Sequence, residues 1–230
     1  MNDKKKDKTP SRRVAILIDG GFFVKRFRAL FDKDKELSGK EVARNIYNLV
    51  HRHIRPVDVL YRVFFYDCLP LNKKYHNPIS KSSIDFGKTP EYTFKHELIN
   101  ELKERRKVAL RLGTLRDHHT WRLRPQILTQ LINGDKRWED IVDNDIILDL
   151  KQQGIDMKIG VDIASLAFKG LVDQIVLFAG DSDFVPASKL ARREGIDFVL
   201  DPMQAHINPD LFEHIDGLEE ATRGYTPFKE

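Results

Sequence analysis

Acidic residues in this sequence gather where buried apolar runs end. Val14 to Ile18 runs straight into Asp19-Gly20-Gly21, and Gln174 to Ala179 runs into Gly180-Asp181-Ser182-Asp183. Between them, Asp162 lies within Met157 to Lys169, at the edge of a helical stripe made by Ile159, Ile163, Leu166 and Ala167. Carboxylates drawn together repel, and each raises the pKa of the next unless a cation neutralises them. All-oxygen ligands of this kind suit Mg²⁺ or Mn²⁺ rather than zinc. One such ion, or a pair about 4 Å apart, activates water and clamps the attacking and leaving oxygens of a phosphodiester. Taken singly, Asp19-Gly20 also reads as a turn and Asp181 and Asp183 as helix caps. The set, rather than any one member, points to chemistry. Asp156 is the best N-cap for its helix. It stands about 9 Å from Asp162 along the axis, so it is read as a cap or a support for the ligands, not as a ligand.

The elements that would position these residues alternate between apolar strand and amphipathic helix. The strand Val14 to Ile18 ends in a tight turn, and Phe22 to Phe31 follows as a helix with Phe23, Phe27, Leu30 and Phe31 on one face. Gly39 to Ile54 is the next helix, with Ser38 as its N-cap and Val42, Ile46, Leu49, Val50 and His53 as its stripe. Val57 to Tyr66 is a strand that stops at Asp67. Leu69 to Thr89 is expected to be an exposed loop. Thr89-Pro90 starts a helix, and Val108 to Leu112 is a strand ending at Gly113. Ile127 to Asn133 and Trp138 to Leu150 are expected to be helical around a turn at Gly134. After the strand Gln174 to Ala179 come a helix from Pro186 to Glu194, a strand from Ile196 to Leu200, and a helix from Pro209 to Arg223. This alternation implies an α/β fold with a central, mainly parallel sheet flanked by helices. Ligands bind beyond the carboxyl ends of such strands, where Asp19, Asp181 and Asp183 stand.

Composition narrows the class. Hydrophobic residues make up 41% and charged residues 32% of the chain, which suits a folded domain and not a disordered one. A net charge of +4 permits an acidic partner such as nucleic acid without demanding one. Met1 to Pro10 is polar and lysine-rich and reads as a disordered tail. Neither a secretory signal nor a membrane span is expected, so the cytoplasm is the default location. The one cysteine, Cys68, excludes an intramolecular disulfide and a cysteine-built zinc site. For phosphate contacts the candidates are Lys158 and Lys151, near the start of the helix that follows Gly154. Arg111, Arg116, His118, His119, Trp121, Arg122 and Arg124 form the densest basic and aromatic cluster, of a kind that stacks single-stranded bases.

At this point the motifs resemble a known family. Ile18-Asp19-Gly20-Gly21, then Lys151 to Lys158 continuing to Gly160-Val161-Asp162, then Ala179-Gly180-Asp181-Ser182-Asp183-Phe184-Val185-Pro186 resemble the NYN domains of the PIN-like nuclease superfamily. Phe64-Phe65-Tyr66-Asp67 resembles the family's second strand. The likeness spans about Arg13 to Leu218 and is most specific from Gly154 to Pro186. It implies a PIN-like three-layer domain over 13–220, with a less family-like segment at 68–153, a basic tail at 1–12 and a C-terminal tail at 221–230. It further implies metal-dependent hydrolysis of RNA, with Asp19, Asp162, Asp181 and Asp183 as the metal-binding and catalytic positions and Asp156, Asp67 and Ser182 behind them. Three residues after the first Asp, where many members carry Asn, this chain has Phe22.

Two other functions suit parts of this pattern. One is a catalytically weak PIN-like module that binds RNA. The other is a phosphatase or phosphotransferase, which lacks the second Asp that such enzymes would place at Gly21. A dinucleotide site is excluded because no glycine-rich phosphate loop follows any strand. A homodimer is compatible with the sequence and not required by it.

Overall fold

The structure, a computed structural model, describes residues 10–229, with the backbone alone at residues 117 and 118. The expected basic tail thus lies outside the described residues up to residue 9. Strand β1 (Arg13–Asp19) forms the middle of the molecule, and Val14, Ala15, Ile16, Leu17 and Ile18 are each 0% exposed. Such an unbroken apolar run fits a strand covered on both faces. Helix α1 (Gly20–Phe31) follows without a loop, because the expected tight turn is itself the first turn of the helix. A Cβ on Gly20 would lie 2.6 Å from the Phe65 ring and 2.7 Å from the Tyr66 carbonyl oxygen, so only glycine lets the helix leave the strand here.

Helix α2 (Gly39–Arg52) is capped by Ser38, as expected. The Glu41 N–H donates to Ser38 Oγ and the Ser38 N–H donates to the Glu41 carboxylate, which satisfies two otherwise orphaned donors. Strand β2 (Val59–Cys68) comes next, then the short hairpin β3 (Lys74–His76) and β4 (Ser83–Asp85), where a loop was expected. Thr89 caps α3 (Pro90–Glu104), with Pro90 in the first turn. The chain continues as β5 (Val108–Leu123), α4 (Pro125–Asn133), β6 (Ile146–Gln153), α5 (Ile155–Phe168), β7 (Gln174–Phe178), α6 (Val185–Arg193), β8 (Asp197–Asp201), α7 (Pro209–Phe212) and β9 (Gly217–Leu218).

The main sheet has the order β6-β5-β2-β1-β7-β8-β9. All neighbours are parallel except β5 and β6. Phe23, Phe27, Ile46, Leu49 and Leu98 from α1, α2 and α3 cover one face, packing on Ile16, Ile18, Phe65 and Phe178. Ile159, Ile163, Leu166 and Ala191 from α5 and α6 cover the other, on Leu17, Phe64, Tyr66 and Leu177. The result is the three-layer α/β architecture expected from the sequence. Among the described residues no helix is long and apolar enough to cross a membrane.

Two expectations are corrected. Trp138 to Leu150 is not helical: short 3₁₀ turns at Trp138–Asp140 and Asp143–Asp145 lead into β6. Ile146-Ile147-Leu148 pairs antiparallel with Leu123, Arg122 and Trp121, so partnership with an extended β5 overrides the local helical spacing. The expected terminal helix stops at Phe212, because Asp216 turns the chain by accepting the Phe198 N–H and the Arg192 guanidinium. Beyond it, the segment expected as a tail lies against α2, where the Asn45 side chain bonds the Phe228 backbone and the Tyr225 hydroxyl.

A buried histidine ties α2 to this closing segment. His53 meets Asp201 through Nε2 at 2.8 Å and Glu219 through Nδ1 at 3.1 Å. Burial opposes a charge on the ring, but the bonds to Asp201 and Glu219 and their negative charge outweigh it and raise its pKa. Stability from a raised histidine pKa is complete below the ordinary value of about 6.5 and is lost as pH rises through the folded value. Thermal unfolding followed by circular dichroism should therefore show the wild-type midpoint falling by about 2–4 °C from pH 6.5 toward pH 9, with His53→Gln nearly flat over the same range. Equal slopes for the two proteins would contradict this account.

Candidate active site

Register alone brings the acids to one end of the sheet. Asp19 pairs with Tyr66, and Ile18 lies between Phe65 and Phe178, so β1, β2 and β7 finish at one level. Asp67 is the last residue but one of β2, and Asp181 comes three residues after β7. The antiparallel β6 delivers its own end to the same place, since Gln153 pairs with Thr114, one residue past the Cys68 and Gly113 pair. Gly154, at φ 77, then turns the chain into α5. Asp156 is the second residue of that helix, not its cap. Asp162 is six residues further on, about 9 Å along the axis and roughly a third of a turn around it.

Asp162 therefore looks elsewhere. Its Oδ2 accepts the Tyr66 hydroxyl at 2.9 Å and the Arg111 guanidinium at 2.9 Å. Burial first, and then the Asp162 charge, push the Tyr66 hydroxyl far above its ordinary range, so it stays a donor. Asp67 is also neutralised. Its Oδ1 receives Lys95 Nζ at 2.8 Å, Gln152 Nε2 at 3.3 Å and the Cys68 N–H at 2.7 Å, while its buried Oδ2 has no hydrogen-bond partner.

Asp19, Asp156, Asp181 and Asp183 differ from these two in having no lysine, arginine or histidine paired to them among the described residues. Asp19 Oδ1 caps α1 by accepting the Phe22 N–H at 3.0 Å, and Asp181 Oδ1 accepts the Asp183 N–H at 3.2 Å. Burial pushes the Asp19 carboxyl above the usual range; the Phe22 N–H opposes this, and negative charge at Asp156 and Asp67 adds to it. Asp156 is raised by partial desolvation of its carboxyl and then by the charges of Asp183 and Asp181. Asp156 thus stands between the others, acting on Asp19 by charge and acted on by Asp181 and Asp183.

Asp19 and Asp181 border a cleft of about 450 Å³ whose walls also include Phe22, Lys25, His206 and Asn208. Phe22 closes one side, so near Gly180 that a Cβ there would lie 2.7 Å from its ring. Ser182 also lines the cleft. Lys25, His206 and Asn208 were not singled out from the sequence. Gly21, Lys25 and Arg28 recur at i, i+4 and i+7 on α1, which was the readable signal for Lys25. His206 and Asn208 reach the cleft only because β8 lies beside β7. The basic candidates lie away from it. Lys158 is exposed on α5, and Arg116 and Lys151 are register partners, both exposed, where β5 pairs with β6. Trp121 is half-buried opposite Leu148, and Arg122 pairs with Asp149 at 3.4 Å.

The donor set fits a hard divalent cation in chemistry and charge: oxygen donors only, two of them raised first by burial and then by neighbouring carboxylates. Among the described residues, however, no group of three or more His, Cys, Asp or Glu side chains stands gathered as a ready metal cage. Repulsion of this kind costs stability, so in chelator Asp156→Asn should raise the thermal midpoint by about 2 °C. Added Mn²⁺ should then stabilise the wild type and leave the variant unmoved. A variant that melts lower in chelator would show that Asp156 is held by favourable contacts instead.

Comparison with known proteins gives the family. No curated protein matches the chain. A solved structure of a protein of unknown function from Vibrio parahaemolyticus is similar with 15% identity and a TM-score of 0.47, covering 90% of this chain and 91% of that one, too distant to bear on function. Residues 96–212, just over half of the chain, match the model of the NYN domain. The match takes in Asp156, Asp162, Asp181 and Asp183, and with it the chain belongs to the NYN domain family, a PIN-like nuclease family.

Proposed function

We propose that the chain hydrolyses RNA phosphodiester bonds with Mg²⁺ or Mn²⁺ held by Asp19, Asp156, Asp181 and Asp183. The observation that carries this reading is the contrast among the acids. Asp67 and Asp162 are neutralised by Lys95 and Arg111, whereas Asp19, Asp156, Asp181 and Asp183 form no ion pair among the described residues. Asp156 thereby takes the place that the sequence reading gave to Asp162. A bound divalent ion supplies charge neutralisation and lowers the pKa of an attacking water. The chain's own groups do the rest. Asp19 is fixed by the Phe22 N–H, so its carboxylate enters the cleft in one orientation. Lys25, on the cleft wall, attracts a phosphate by charge. Asn208 Oδ1 accepts the Asp210 N–H at 2.9 Å, which leaves the Asn208 amide nitrogen as a donor. RNA as the substrate, rather than DNA, rests on the family resemblance.

A second reading, an RNA-binding module with little catalysis, is favoured by one observation: no three of the described acids stand ready as a cage. Cleavage of labelled single-stranded RNA separates the two. Purified protein should cut with Mn²⁺ or Mg²⁺ and not in chelator. Asp19→Asn, Asp156→Asn and Asp181→Asn should each lose at least about 100-fold, more than supporting residues of metal sites usually cost. Asp162→Asn should retain its rate within about tenfold, the lower end of that range. Binding of RNA without metal-dependent cleavage would establish the second reading, and loss of activity in Asp162→Asn equal to that in Asp156→Asn would return the fourth position to Asp162.

A further inference from the structure

The acid cleft continues past Lys25. With Gly21, this side chain also borders a depression of about 390 Å³ between α1 and α3. α1 contributes Lys25 and Arg28, the turn after it contributes Lys35, and α3 contributes Glu91 and Lys95 one turn apart. Four cations face one carboxylate here, the reverse of the charge balance in the cleft. Two of the four are already engaged. Arg28 donates to Glu91 at 3.1 Å and lies 4.0 Å over the Phe94 ring, and Lys95 bonds Asp67. The side chains of Lys25 and Lys35 have no hydrogen bond or ion pair among the described residues. Lys35 keeps its place at φ 57, a left-handed backbone that glycine adopts more readily.

Beyond Glu91 and Lys95 the depression meets an apolar pocket of about 320 Å³. Phe86 and Tyr92 line it together with Leu71, Leu115 and Leu150. An apolar hollow with aromatic edges takes a flat ring system, and a base can reach it only by leaving a helical stack.

We infer that the nucleic acid is bound as a single strand. Its phosphates run from the acid cleft over Lys25, Arg28 and Lys35, and one unstacked base seats against Phe86 and Tyr92. The cleft end of this path rests on the nuclease reading; the groove and pocket do not.

Fluorescence anisotropy in chelator tests it, using a labelled single-stranded oligoribonucleotide and the same strand in a duplex. The wild type should prefer the single strand. Lys25→Ala/Lys35→Ala should weaken binding and lower the slope of log affinity against log salt by about 1.4, two phosphate contacts at about 0.7 each. Tyr92→Ala should weaken single-strand binding roughly tenfold and abolish the preference, and Tyr92→Phe should keep both. Wild-type affinity and salt slope in the lysine variant, or equal binding of duplex and single strand by the wild type, would overturn the inference. Metal-dependent cleavage measured in parallel keeps the two ideas apart. Cleavage with groove-independent binding would overturn the inference and leave the nuclease reading intact. Groove-dependent binding without cleavage would do the opposite.

Discussion

Repulsion among carboxylates that no protein cation relieves is the constraint around which this molecule is arranged. Elsewhere several buried acids are neutralised by a cation. Asp58 is gripped by Arg12 and Arg55, Asp201 takes His53 and two backbone N–H groups, and Asp145 takes Lys136. By contrast, Asp19 and the exposed Asp156, Asp181 and Asp183 stand at the carboxyl end of the parallel sheet without an ion pair among the described residues. Burial, and then neighbouring carboxylates, raise the pKa of Asp19 and Asp156, which costs stability. On the proposed reading an external cation would remove that cost.

The sheet makes the arrangement unavoidable. Strands β1, β2 and β7 end at one level because their pairing is in register, and β6 enters from the opposite direction to place the start of α5 beside them. The jammed glycine at the start of α1 matters for the same reason. With Gly20 pressed on Phe65 and Tyr66, the helix begins at the strand end and Asp19 becomes both its cap and a wall of the cleft. One side chain thus serves the backbone with one oxygen and stays fixed at the cleft wall.

Much of this was legible before any coordinates. The runs Val14 to Ile18 and Gln174 to Ala179 announce buried parallel strands, and the acids that follow them fall at the functional end by the logic of such sheets. Ser38 and Thr89-Pro90 mark their helix starts correctly because capping is a local property. What failed was non-local. Strand β6 is written in a segment whose spacing also suits a helix, and only the extension of β5 past Gly113 decides between them. The proposed preference for Asp156 over Asp162 rests on equally non-local contacts. An acid just inside a helix start reads as a cap, and the cap is Gly154 instead. Nor could the sequence show that Arg111 occupies Asp162, since 51 positions separate them.

Anomalous diffraction from crystals of the intact chain soaked in Mn²⁺ would locate the cation directly. Density should appear at the sheet end, with oxygens of Asp19, Asp156 and the Asp181-Asp183 turn around it, and Arg111 should still be paired with Asp162. No density at saturating Mn²⁺, or density beside Asp162 with Arg111 displaced, would contradict the account of how these acids are divided.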